Sequence, residues 1–397
     1  MSIAPWPYFS EEEIDAVTAV LTSGKINYWT GSECQQFEQE FASYTGVKYA
    51  VAMANGTVAL DASLRALNLL PGDEVIVTSR TFFASASAIV NIGAIPVFAD
   101  VDARTQNISA STINEVLTEK TRAIVCVHLA GWPCDMDPIL RLARAHRLFV
   151  VEDCAQAHGA KYKGQSVGSF GDVSCWSFCQ DKIMTTGGEG GMVTTNCKDI
   201  WSSVWSYKDH GKSYDAVHSE EHSAGFRWLH HSFGTNLRMT EMQAAIGRIQ
   251  LRKLENWNHK RRSNCQMIWD ALSDLDSIRI PYLACDGCRS VTCVDEGCRN
   301  AAYKCYVFVE AGEATRDLIM KKITQNGMPC STGSCSEVYL EKAFVNQNLS
   351  QPRRLTVAKR LGETSLMFLC HPTLSQDEMA SICEVARDAV THSTTRG

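Results

Sequence analysis

Residues 174–195 read SCWSFCQDKIMTTGGEGGMVTT. The stretch holds one lysine, Lys182, preceded by apolar and aromatic residues and followed by a glycine-rich turn through Gly187, Gly188, Gly190 and Gly191. A lysine in tight, mostly apolar surroundings has a depressed pKa, and its neutral amine can form a Schiff base with a carbonyl. Most lysines are solvated surface charges, so the reading depends on what lies around this one in the chain.

Outward from it, strands and helices alternate. Strands are predicted over 49–53, 74–78, 96–99, 122–128 and 148–152, with helices over 58–67, 85–92, 110–117 and 137–146. Such alternation implies right-handed crossovers and a mostly parallel sheet with helices on both faces, an α/β fold. Ligands of such sheets sit at the carboxyl ends of the strands. Asp153 follows LeuPheValValGlu there, and Asn55-Gly56-Thr57 and Thr81-Phe82 also follow strands. A strand that turns through Gly56 into a helix makes an anion site from backbone N–H groups, helix dipole and the Thr57 hydroxyl; a plain capped helix is the competing reading. Ser10 with Glu11, Glu12 and Glu13 predicts a helix start, and a second helix runs from about Glu33 to Tyr44. Thr240 with Gln243 predicts a capping box, a helix to about Trp257 and a separate helix over 260–272. The expected organisation is a large domain over 1–257 and a smaller α+β domain over 258–397.

The 397 residues are 45% hydrophobic and 21% charged, with net charge -6, an ordinary globular composition with room for two cores. No basic block tracks a phosphate backbone, so a nucleic-acid partner is not expected. The N-terminus lacks a basic start followed by an apolar run, and no apolar run approaches the roughly twenty residues of a membrane helix, so a cytoplasmic protein without membrane contact is expected. The 17 cysteines are then reduced. Cys285-x-x-Cys288, with Cys293, Cys298 and Cys305, permits a zinc site, but the pair does not recur and no histidine lies between; a reduced cysteine-rich loop and no metal is the favoured reading.

Asn55-Gly56-Thr57, Thr81-Phe82, HisLeuAlaGlyTrpProCysAspMetAsp at 128–137, GluAspCysAlaGlnAlaHisGlyAla at 152–160, the SerPhe-x-x-x-Lys-x-x-Thr-Thr-Gly-Gly-Glu-Gly-Gly segment at 177–191 and Asn-x-Arg-Met-Thr at 236–240 together resemble the DegT/DnrJ/StrS sugar aminotransferases. The resemblance implies the fold-type-I fold of pyridoxal-phosphate enzymes and a homodimer with shared sites. It implies Lys182 as the Schiff-base lysine, Asp153 on the pyridinium nitrogen, Gln156 near the phenolic oxygen and Phe82 stacked on the ring. Gly56, Thr57 and Ser177 would hold the phosphate, with Asn236 reaching it from the partner chain. Arg238 is a candidate for the donor's carboxylate. Glu189 would touch substrate or form an ion pair across the dimer, and His128 and His158 would support geometry. The implied activity moves an amino group from L-glutamate to a nucleotide-linked keto sugar, 4-keto favoured over 3-keto. A dehydratase of the same fold would carry histidine in place of Lys182, and a non-catalytic relative would not need the full motif set. Sugar choice is expected in loops, with 210–231 and 330–335 as candidates.

Overall fold

A computed structural model describes residues 3–219, 225–281 and 297–394. Its centre is a seven-stranded sheet: β1 Tyr49–Met53, β2 Glu74–Thr78, β3 Ile95–Ala99, β4 Thr121–Val127, β5 Phe149–Asp153, β6 Val173–Ser177 and β7 Gly191–Thr195, in spatial order β1-β7-β6-β5-β4-β2-β3. Neighbours from β6 to β3 run parallel, while β7 is antiparallel to both β6 and β1. The strands at 173–177 and 191–195 are not among those expected from the sequence. The stretch around Lys182 is the connection between them, and it reverses the chain within the sheet.

Alternation along the strands sorts the core. Val75, Val77, Val125, Val151 and Val193 pack with the helices Gly56–Ala66 and Phe83–Asn91, whereas Ile76, Ile124, Cys126 and Val150 face Trp132, Ile268 and Trp269. Full burial of each such side chain stabilises by roughly 1.5–3 kcal/mol.

The C-terminal region adds an antiparallel sheet of β8 Ile278–Arg279, β9 Cys305–Val309, β10 Cys330–Ser331 and β11 Ser365–Phe368, ordered β8-β9-β11-β10. The break expected after Trp257 is absent. Glu241–Leu272 is one helix of 32 residues, opened by the Thr240–Gln243 capping box, so the expected division at 257/258 falls inside it. Asn258, a weak helix former, is buried there and donates from Nδ2 to the His158 carbonyl at 2.9 Å. Tertiary bonding outweighs propensity at this point. Among the described residues no helix is long and apolar enough to cross a membrane. Of the cysteine group, Cys285, Cys288 and Cys293 lie outside the described residues. Cys298 is buried and accepts from the Lys163 amide at 3.2 Å, and Cys305 is a buried residue of β9.

Candidate active site

The carboxyl ends of β1, β5 and β6 open onto a cavity of about 870 Å³. Gly56, Thr57, Phe82, Asp153, Gln156, Ser177, Lys182 and Glu189 all line it.

Asp153 ends β5 and is buried. Its Oδ2 accepts from Ser85 Oγ at 2.7 Å and its Oδ1 from the Ala155 amide at 3.1 Å. Ser85 in turn meets Thr81 Oγ1 at 2.8 Å. Both oxygens are thus oriented, and Ser85 lies in the first turn of the helix Phe83–Asn91, where the dipole favours an anion. The preceding residue, Glu152, is buried and accepts from the amides of Gly168, Phe170 and Gly171 at 2.8–2.9 Å. His128 Nδ1 accepts from the Cys134 amide, so Nε2 carries the proton and donates to Glu152 at 3.0 Å. Burial alone would raise the Glu152 pKa, but the hydrogen bond from His128 with those from the Gly171 and Gly168 amides lowers it overall. His128, Glu152 and Cys154 offer ligand atoms within 4.8 Å of one another. Internal hydrogen bonds already engage the histidine and the carboxylate, so the group pins the end of β5 beside Asp153.

Lys182 sits on a loop held from below. The Thr185 amide donates to Gln250 Oε1 at 2.8 Å, and Gln243 Nε2 donates to the Glu189 carbonyl at 2.7 Å, both from the long helix. Trp6 Nε1 donates to the Lys182 carbonyl at 2.9 Å, and the Trp6 ring lies 4.7 Å from the buried Arg261 guanidinium. Gly187 and Gly188 turn the chain at φ 88° and 123°, a region that side chains disfavour. The mostly apolar surroundings expected from the sequence are not what the amine meets. Asp181 Oδ1 lies 3.9 Å from Lys182 Nζ, and the Tyr303 ring centre lies 5.2 Å from it. The Tyr303 hydroxyl donates to Asp181 Oδ2. Asp181, Tyr303 and Lys304 are wall residues that the sequence reading missed. Their one signal was Tyr303-Lys304 directly ahead of a strand.

Asn55 caps the helix Gly56–Ala66, its Oδ1 accepting from the Val58 amide at 3.0 Å. A Cβ on Gly56 would lie 2.5 Å from Ser177 Cβ, so glycine is required for β6 to approach this turn. Gly56→Ala should weaken phosphate-ligand binding about tenfold, the equivalent of about 1.4 kcal/mol and within the usual range of an overpacking cost, read by cofactor titration. Binding at wild-type strength would contradict the tight approach.

Gln156 Oε1 accepts from the Ala130 amide at 2.8 Å. Phe82 is 67% exposed on the cavity wall. Asn236 and Arg238 do not line the cavity. Asn236 is exposed, and Arg238 Nη1 pairs at 2.7 Å with buried Asp209.

His158 packs against Trp176 and Phe178 at 5.3 and 5.6 Å, with both ring nitrogens lacking a protein hydrogen bond. Burial, aided by the charges of Lys182 and Arg261, lowers its pKa to about 3. An unfolded histidine titrates near 6.5, so below that pH the unfolded chain binds the extra proton and stability falls with acidification, by up to about 1.4 kcal/mol per pH unit. The unfolding midpoint should drop between about pH 6.5 and 5, less steeply in His158→Phe; equal slopes would contradict this account.

The cavity has a carboxylate (Asp153) on one strand end, a helix N-terminus with hydroxyls on another, and Lys182 beside them. An anion suits the helix N-terminus and a cationic ring nitrogen suits the carboxylate, so these residues fit pyridoxal phosphate.

Comparison with known proteins agrees. Residues 7–387 match the DegT/DnrJ/EryC1/StrS aminotransferase family. The chain is 35% identical over 378 residues to a GDP-perosamine synthase of Escherichia coli O157:H7, covering 95% of each. A solved aminotransferase from Psychrobacter cryohalolentis is 55% identical, with 98% of this chain and 99% of that chain covered and a TM-score of 0.94. DesV of S. venezuelae, solved with a ketimine intermediate, is 30% identical over 96% of this chain and 94% of that one, with a TM-score of 0.84. The fold is that of the type-I pyridoxal-phosphate transferases, and the chain belongs to the DegT/DnrJ/EryC1/StrS family of sugar aminotransferases.

Proposed function

We propose that this enzyme transfers the amino group of L-glutamate to a nucleotide-linked keto sugar, with the 4-keto position favoured, as a cytoplasmic homodimer. The observation that carries the reading is the single cavity wall shared by Lys182, Asp153, Ser177 and the N-terminus of the helix Gly56–Ala66. The likeness to a GDP-perosamine synthase supports a sugar on a nucleotide carrier.

Bound pyridoxal phosphate supplies a carbonyl that takes up the amino group and a ring that stabilises the carbanion beside it. The protein's part is binding, orientation and proton movement. The Gly56 and Thr57 amides with the Thr57 and Ser177 hydroxyls would hold the phosphate. Asp153 would keep the ring nitrogen protonated, since an opposite charge favours the cationic form. Phe82 would cover one face of the ring, and Gln156 would donate from Nε2 to the phenolic oxygen. Lys182 Nζ would attach the cofactor and, once released, carry the proton between the two carbon atoms of the exchange. Asn236, exposed outside its own cavity, is assigned to the partner's phosphate in the dimer. The dehydratase alternative finds no support in a wall that carries lysine at 182, and the complete set of groups gives none to a non-catalytic role.

The test is a panel of nucleotide-linked 3-keto and 4-keto sugars with L-glutamate, read by mass spectrometry. An amino sugar from a 4-keto substrate is expected. Product from 3-keto sugars alone would overturn the positional choice, and no product from any would overturn the proposal.

A further inference from the structure

Anions dominate the described wall of the active-site cavity: Asp153, Asp181, Glu189 and Glu341 face it. Its lysine and arginine side chains, among the described residues, are Lys182 and Lys304. Yet both substrates of the proposed reaction are anionic. Glutamate brings two carboxylates, and a nucleotide-linked sugar brings a diphosphate. A site with such a wall needs a cation reserved for them.

Lys182 is committed to the cofactor. Arg238, the sequence-based candidate for this role, pairs instead with Asp209 at 2.7 Å. Lys304 remains. It is half-buried, and no described hydrogen bond or salt bridge engages its ammonium. Its Nζ lies 4.7 Å from the centre of the Tyr303 ring, the same ring whose centre is 5.2 Å from Lys182 Nζ. The two nitrogens therefore lie within about 10 Å of each other, the span of one substrate molecule. Among the described residues the acid close by is Asp181, and it is occupied: it accepts the Tyr303 hydroxyl and lies 3.9 Å from Lys182. The backbone that carries Lys304 is fixed. The Tyr303 amide donates to the Ala130 carbonyl at 3.1 Å, Ala130 itself donates to Gln156, and Cys305 begins β9. Burial lowers the Lys304 pKa, with Asp181 opposing in part, which is the direction for a buried cation short of a counter-ion.

We infer that Lys304 is an anion-recognition residue of this cavity and binds a substrate oxyanion, either a carboxylate of the amino donor or the diphosphate of the nucleotide-linked acceptor. The inference rests on the transaminase reading. A charge-assisted hydrogen bond from a half-buried ammonium is strong enough to govern affinity.

The test uses full-length protein loaded with pyridoxal phosphate, as wild type, Lys304→Met and Lys304→Arg. Calorimetry measures binding of two unreactive probes, glutarate for the carboxylate source and a nucleoside diphosphate (GDP, UDP or dTDP) for the diphosphate source. Cofactor absorbance then follows the glutamate half-reaction and the keto-sugar half-reaction separately. Lys304→Met should bind one probe about tenfold or more weakly and raise the KM of the matching half-reaction, with cofactor binding unchanged. Lys304→Arg should recover much of both. Loss confined to glutarate and glutamate assigns the donor, and loss confined to the diphosphate and sugar assigns the acceptor. Binding of both probes within about twofold of wild type in Lys304→Met overturns the inference, as does a wild type that binds neither probe. Failure of the transaminase reading would look different: glutamate would leave the wild-type cofactor absorbance unchanged whatever the probes do.

Discussion

Lys182→Ala protein should fold, bind pyridoxal phosphate noncovalently and turn over at least about a thousandfold more slowly than wild type. The Lys182 backbone is fixed independently of its side chain, because its carbonyl accepts from Trp6 and the loop is tied through Thr185 and Glu189 to the long helix. Among the described residues the side chain makes a 3.9 Å approach to Asp181 and a contact with the Tyr303 ring and lines the cavity, so its removal breaks no hydrogen bond that holds the fold. On the proposed reading, the variant lacks both the amine that attaches the cofactor and the base that carries the proton. A positioned base alone is worth about 10²–10⁴ in rate, and loss of covalent attachment adds to that. The measurement is single-turnover absorbance with glutamate, beside thermal unfolding of the same preparation. A variant that retains a tenth of wild-type turnover would place the reactive amine elsewhere.

The second large effect belongs to Asp153→Asn. Asparagine fills the same space and can keep bonds to Ser85 and the Ala155 amide, so stability should change little. It cannot supply the charge. A neighbouring carboxylate raises the pKa of a base by about 1–3 units, and without it the ring nitrogen is mostly neutral at pH 7. Turnover should fall roughly a hundredfold or more, while the cofactor remains bound through its phosphate. Asp153→Glu should not recover it, since the longer side chain cannot keep the Ser85 and Ala155 bonds in place. Near-wild-type kcat in Asp153→Asn would mean that the ring nitrogen meets some other acid.

Much of the site was legible because its residues sit at places where local pattern and chemistry coincide. Asp153 follows an apolar strand, and Asn55-Gly56-Thr57 sits between a strand and a helix start, so the parallel-sheet rule brings them to one edge. The resemblance of the motifs placed Lys182, Ser177 and Gln156 on that edge with them, and all seven residues line the cavity. The reversal of β7 was not legible. Its residues, Gly191–Thr195, alternate no differently from a parallel strand, and the turn that reverses them depends on Gly187 and Gly188 at positive φ. The long helix was misread because Asn258 and its polar neighbours look like an end. Only the fold reveals that the His158 carbonyl receives its side chain. Arg238, the candidate for the donor's carboxylate, lies outside the cavity of its own chain. Its partner Asp209 is fully buried, and a buried carboxylate holds a nearby guanidinium more strongly than an open cavity can. Tyr303 and Lys304 stand more than a hundred residues from Lys182, and only tertiary packing puts both lysines on one aromatic ring.

The most direct measurement of the central claim, that this cavity exchanges an amino group through Lys182, is the absorbance of the purified full-length protein with pyridoxal phosphate as L-glutamate is added. The visible band of the lysine-attached cofactor should disappear in proportion to glutamate and return on adding a nucleotide-linked keto sugar. A band that glutamate leaves unchanged, in protein whose Lys182 is intact, would contradict it.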